Sequence, residues 1–267
     1  MTEEAKRLLG VPEKPPPARI LGLDEFSIKK GQVYDTAIMD IEEKQVLGVV
    51  SGHRQEEVQG FLEHLPEPER VEVVVMDMHE PFRQAVEMCL PQAQVVVDKF
   101  HVLLHVNRAL DQVRTSLQPH RGRKGELFRS RYLLLTGVER LTPERYTRLM
   151  DVLGRYPLLQ RAWALKEVFR AWYHSATRAE AEQGLKAWEA EVQEASLGPF
   201  QALFPMLRYW RKEILNYFDR RYTNGFVEGK NNRIKVIKRI AYGYRNSHNF
   251  RQRILLTNHK EVKPKAA

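Results

Sequence analysis

Two short apolar runs each close on an aspartate: Val73-Val74-Val75-Met76 before Asp77, and Val95-Val96-Val97 before Asp98. Neither run alternates with polar residues, so neither leaves a face for water, and both read as strands buried on two sides. Strands of that kind are parallel, and parallel neighbours need a crossover between them. Pro81 to Leu90 supplies it as a helix, with proline at the first turn, where a missing N–H is harmless. The two strands are expected over Val71–Asp77 and Ala93–Asp98. Upstream, Ile20–Ile28, Gln32–Ile41 and Gln45–Ser51 read as strands joined by Lys29-Lys30-Gly31 and Glu42-Glu43-Lys44, short polar turns suited to an antiparallel meander. A helix near Glu56–Leu65 places Val58, Phe61, Leu62 and Leu65 on one face and is stopped by Pro66 and Pro68. The fold class is therefore α/β: an antiparallel three-strand meander plus two parallel strands in one mixed sheet.

From Val102 to Arg221 no strand signal of comparable strength appears. Leu158, Arg161, Ala162, Leu165, Val168, Phe169 and Trp172 recur at helical spacing, which predicts a mainly helical block. Trp163, Trp172, Trp188 and Trp210 all fall within it and are expected mostly in its core. A final helix from Phe226 to about Tyr242 follows, then Ile254-Leu255-Leu256 and a polar tail. The expected layout is a proline-rich linker over 1–19, a core made of 20–110 and 216–257, a helical insertion over 111–215, and a tail over 258–267.

Lys and Arg outnumber Asp and Glu by 43 to 34, for a net charge of +9 and a pI near 9.6. That excess favours a phosphate-bearing partner. Cys89 is the only cysteine, which excludes an internal disulfide and a cysteine-built zinc site and fits a reducing cytoplasm. No apolar run approaches the roughly 18 residues of a membrane span, and the acidic start Met1-Thr2-Glu3-Glu4 lacks a signal-peptide core. A cytoplasmic location with no membrane partner is expected.

Asp24 closes the run Ile20-Leu21-Gly22-Leu23, as Asp77 closes its own. A carboxylate at the end of a buried strand does not help a core, because unpaired buried charge is costly. At the carboxyl edge of an open α/β sheet, where ligands bind, two such groups can share divalent ions for phosphoryl chemistry. Either aspartate alone can equally be a cap or a strand-end surface group. Glu228 heads a helical stripe with Asn232, Lys235 and Arg239 at i+4, i+7 and i+11, flanked by Asn231 and Lys238. A third metal ligand followed by phosphate donors fits that order, while a solvated basic helix with an acidic first turn explains the charges but not the amides and glycines.

With these segments in place the chain resembles the DDE transposases of bacterial insertion sequences, most closely the ISL3 group. The likeness rests on Gly22-Leu23-Asp24-Glu25, Val75-Met76-Asp77-Met78, Val97-Asp98-Lys99-Phe100-His101 and Thr223-Asn224-Gly225-Phe226-Val227-Glu228-Gly229. Ile234-Lys235-Val236-Ile237-Lys238-Arg239 and Gly243-Tyr244-Arg245-Asn246 complete it, so that it spans about Ile20 to Leu256. The resemblance implies an RNase H-like core with a helical insertion before the last catalytic helix. It further implies catalytic metal ligands at Asp24, Asp77 and Glu228 and two Mg²⁺ ions, for which Mn²⁺ can substitute. Implied DNA contacts are Asn231, Asn232, Lys235, Lys238, Arg239 and Arg245, with cleavage at transposon ends, strand transfer into target DNA, and a homo-oligomer when active. Asp98 and His101 resemble an auxiliary Asp-x-x-His signature; alternatively Asp98 caps a helix near Val102 with His101 in its first turn.

Family members normally carry an N-terminal zinc-binding and helix-turn-helix region, and here the sheet begins almost at once. A second reading is thus a truncated, inactive remnant that only binds DNA, and a third is an RNase H-like nuclease or resolvase. His101 and His105 lie at zinc-binding spacing without an apparent third ligand. Arg121-Gly122-Arg123-Lys124, with Arg129 and Arg131, reads as a phosphate-binding loop or a solvated charge run. Cys89 reads as a core residue.

Overall fold

The structure, a computed structural model, describes residues 15–29, 33–118, 125–242, 244 and 246–258, without the side chains of Lys29, Val227, Glu228 and Asn258. Residue contacts divide the chain into a sheet unit, Met1–Asp98 with Tyr222–Ala267, and a helical unit, Lys99–Arg221. The division falls at Asp98 and Tyr222, not at 110 and 216. The Lys99–Ser116 helix packs along Pro157–Trp172, and Arg211–Arg220 along Arg178–Ala195, so both belong with the helices they cover.

The sheet unit holds five strands: β1 (Ile20–Lys29), β2 (Val33–Asp40), β3 (Gln45–Ser51), β4 (Val73–Met76) and β5 (Gln94–Val97). Their order is β3-β2-β1-β4-β5. β1 and β3 each pair antiparallel with β2, while β1–β4 and β4–β5 are parallel. This mixed sheet fits an RNase H-like transposase fold. The valine runs occupy the parallel half as expected, with Val73 to Met76 fully buried.

Alternation along β1 sends Leu21, Leu23 and Glu25 to one face, and Gly22, Asp24 and Phe26 to the other. Over the first face lies the Gln55–Leu62 helix, with Glu80–Cys89 packed beside it. Phe61 approaches Gly48 of β3 so closely that a Cβ there would meet its ring at 2.1 Å, so glycine is required by contact. Over the second face, Ile234, Phe250 and Ile254 join Phe26, Ala37, Met39 and Val46 in one apolar cluster. These come from the Gly225–Ile240 and Ser247–Asn258 helices. The Phe26 and Phe250 rings meet edge-on at 6.3 Å. Arg251 Nε, 2.9 Å from buried Asp35 Oδ2, ties the last helix to β2.

Among its described residues the helical unit contains no strand. Its core is aromatic: Phe169 lies between Trp172 and Trp188, with Tyr173 and Phe218 beside them. The indole N–H groups of Trp172 and Trp188 donate to Ala181 O at 2.7 Å and Leu165 O at 2.9 Å. Trp210 is also buried, and Trp163 half-buried. The buried stripe of Pro157–Trp172 is Leu159, Ala162, Leu165, Lys166, Phe169 and Trp172. Leu158 and Val168, expected in that stripe, point outward instead. Cys89 is half-buried, not a core residue, and burial raises its thiol pKa. Among the described residues no helix is long and apolar enough to cross a membrane.

Candidate metal and nucleic-acid site

The parallel register builds the site. Pairs run Ile20↔Val73, Leu21↔Val74 and Gly22↔Val75. Two residues further along, the same offset sets Asp24 beside Asp77, and their carboxylate oxygens lie within 4.8 Å. From β4 to β5 the offset Met76↔Val97 continues to Asp77 and Asp98, with Asp98 N–H donating to Met76 O at 2.9 Å. Three aspartates thus stand in one row across three parallel neighbours. Asp77 and Asp98 follow their strands directly, as expected. Asp24 does not end β1: β2 continues the antiparallel pairing past Asp24↔Ala37 to Lys29, so the strand runs on after its parallel partner has stopped.

The start of the Gly225–Ile240 helix is fastened to this row by two asparagines. Asn224 donates through its side chain to Leu23 O at 3.2 Å, and its backbone N–H donates to Asp98 Oδ1 at 3.3 Å. Asn231 donates through its amide to Asp24 Oδ2. Both asparagines are buried, and their amide oxygens have no hydrogen-bond partner among the described residues. Two amide oxygens therefore stand beside the carboxylates. An acceptor-rich pocket of oxygens is a donor set suited to a hard divalent cation.

Along this helix Asn231 and Ile234 face inward, and half-buried Lys238 reaches Ser27 O at 3.3 Å. Asn232, Lys235 and Arg239 are exposed, as is Arg233 between them. Asn231 is accordingly committed to Asp24, and not presented to solvent with Asn232, Lys235 and Arg239. Glu228 lies in the backbone of the helix, one turn before Asn231, and its side chain lies outside the described residues. Arg245 and the Arg121–Lys124 loop also lie outside them. His101 sits in the first turn of the Lys99–Ser116 helix, which starts at Lys99 and not near Val102. Burial lowers the pKa of His105, one turn further on, with Arg108 and His101 adding to the shift.

On the opposite face of the sheet, at the same strand ends, Glu25, His53 and His79 meet. Nothing in the sequence singles out this group, since its members lie in three separate segments. Burial holds the His79 imidazole below its ordinary pKa, against the raising influence of Glu25, Asp77 and Glu80.

Residues 21–254 match the sequence profile of the ISL3-type DDE family, described as Transposase. The chain belongs to the ISL3 family of DDE transposases. It is 32% identical over 238 residues to the transposase for insertion sequence element IS1001 of Bordetella parapertussis, covering 86% of this chain and 58% of that one. It is 26% identical over 254 residues to the transposase for insertion sequence element IS1557 of Mycobacterium tuberculosis, covering 85% and 57%. The chain thus spans somewhat over half the length of these curated relatives.

Proposed function

We propose that the sheet unit is the catalytic centre of a polynucleotidyl transferase that cuts DNA at transposon ends and joins the freed ends to target DNA. The observation that carries this reading is the placement of Asp24 and Asp77 side by side on adjacent parallel strands, with oxygens within 4.8 Å, in a transposase-family chain. In this reading Asp24, Asp77 and Glu228 hold two Mg²⁺ ions, or Mn²⁺ in their place. When bound, such ions neutralise the phosphodiester and lower the pKa of the attacking hydroxyl.

The chain's own residues supply positioning. Asn231 fixes the rotamer of Asp24 by donating to Oδ2, so the outward-facing lone pairs keep one direction. Asn224 ties the start of the glutamate helix to β1 and to Asp98, and Glu228, the proposed third ligand, follows one turn on. Exposed Asn232, Lys235 and Arg239 offer neutral and charged donors along one helix side, a track for successive phosphates. Lys238 and Arg245 extend that track in the proposal, and Asp98 and His101 serve as auxiliary groups. DNA ends and target DNA are the partners, met in the bacterial cytoplasm by a homo-oligomer.

The test is to incubate the chain with Mg²⁺, a labelled duplex carrying an element's inverted-repeat end, and supercoiled target. Labelled strand covalently joined to the plasmid supports the proposal. Cleavage without joining supports an RNase H-like nuclease or resolvase, which would share the metal pair. Retarded but uncut DNA supports a binding-only remnant.

A further inference from the structure

We infer that Glu25, His53 and His79 form a second cation site, for a borderline first-row transition ion with zinc as the leading occupant, on the face of the sheet opposite Asp24. One oxygen of Glu25 and one ring nitrogen of each histidine all lie within 4.8 Å of one another. Zinc bonds to nitrogen and oxygen at about 2.0–2.2 Å, so donors in tetrahedral array stand roughly 3.4 Å apart, within a small side-chain adjustment of these positions.

The three donors are built into separate elements and each is held in place. Glu25 projects from β1, next in sequence to Asp24 but on the other face. His53 follows β3 after Gly52, whose φ of +93° turns the chain and whose added Cβ would strike Glu57 at 2.2 Å. Thr36 Oγ1 donates to Gly52 O at 2.7 Å, which pins that turn. His53 stacks on Tyr34 with centroids 5.4 Å apart, and its Nδ1 lies 2.8 Å from Glu25 Oε2. His79 precedes the Glu80–Cys89 helix and packs edge-on against Phe82 at 4.5 Å, with its ring 5.4 Å from that of His53.

A simple ion pair accounts for His53 and Glu25 but not for His79. Its Nδ1 is buried and has no hydrogen-bond partner among the described residues. A buried imidazole nitrogen left without a partner is unfavourable whether it carries a proton or a lone pair, and a ring that binds a cation gains a partner this pairing lacks. Two imidazoles and one carboxylate select zinc or a neighbouring transition ion over magnesium, which prefers oxygen and retained water. The two faces of β1 thus present different donor chemistry: oxygen alone beside Asp24, and nitrogen with oxygen beside Glu25. An ion on the second face would clamp β1 to the segments after β3 and β4, the latter just past Asp77. Its role is positioning.

The experiment titrates the full chain with Zn²⁺ by calorimetry and with Co²⁺ by visible absorption, alongside metal-free melting curves. The expected result is one Zn²⁺ per chain, displacing Co²⁺ and not displaced by Mg²⁺, with a rise in melting temperature on loading. His53→Ala, His79→Ala and Glu25→Gln should each weaken binding by at least about 10-fold, while Asp24→Asn with Asp77→Asn leaves it intact. Should His79→Ala fail to fold, His79→Gln replaces it. Absence of binding, wild-type affinity retained in the ligand variants, or loss of binding in the aspartate variant would each overturn the inference.

Discussion

The two units both bury polar side chains, but they bury them to different ends. In the helical unit the two buried cations, Lys166 and Arg114, are spent on the backbone and on local carboxylates. Lys166 Nζ donates to Leu134 O at 2.9 Å and Thr136 O at 3.1 Å and pairs with Glu167. Arg114 binds Asp111 at 2.7 Å and Leu127 O at 3.2 Å. In the sheet unit, Asn224 and Asn231 donate to Asp98 and Asp24 across neighbouring strands, and their own amide oxygens have no hydrogen-bond partner among the described residues. Buried polarity that satisfies itself is architecture. Buried polarity that converges with acceptors to spare is a site.

That contrast can be broken by substitution. The largest effect is expected at Asp77→Asn, which should reduce Mg²⁺-dependent cleavage to background in a labelled-DNA assay while the melting temperature stays within a degree or so of wild type. Next is Trp188→Ala in the helical unit, expected to cost about 3–5 kcal/mol in denaturant unfolding, because it empties a fully enclosed volume and removes the indole bond to Leu165 O. Lys166→Met should cost about 1–3 kcal/mol for each buried carbonyl it strands, less the relief of burying no charge. It should also alter a pH slope. Burial holds the Lys166 pKa below its ordinary 10.5, although Glu167 raises it. Between the lowered value and 10.5 the unfolded chain binds a proton that the folded chain has released. Wild-type stability therefore rises with pH across that window, and the methionine variant should lose the rise.

Two smaller effects return to the sheet unit. Asn231→Ala should lower cleavage by about 10- to 100-fold, in line with outer-shell partners of metal ligands, and change stability less than Trp188→Ala does. A drop in stability equal to that of Trp188→Ala, with cleavage unchanged, would erase the distinction between the units. Smallest of all, Lys235→Ala or Arg239→Ala should weaken DNA binding alike on all sequences and each reduce the salt slope by about one.

Much of the sheet was legible because its signals are local. Unbroken valine runs specify parallel strands, and the aspartates ending them inherit the register. The position of Asp24 within β1 was not legible, since strand length there depends on β2 and not on the run itself. Asn232, Lys235 and Arg239, four, seven and eleven residues on from Glu228, trace the exposed side of the helix. The inner side, Asn231 and Ile234, runs one position earlier, and only the sheet beneath shows which side is buried. The Ser247–Asn258 helix was legible only as Ile254-Leu255-Leu256, because much of its apolar face is a pair, Phe250 and Ile254, spaced one turn apart. Glu25, His53 and His79 left no signal at all, for no spacing rule links a strand to two loops.

Anomalous scattering from crystals of the chain grown with Mn²⁺ reads out directly whether Asp24 and Asp77 form one cation-binding pair. A Mn²⁺ peak beside the two carboxylates is expected, absent in crystals of Asp77→Asn. Saturated crystals with no density between Asp24 and Asp77, or the same peak retained in Asp77→Asn, would contradict it.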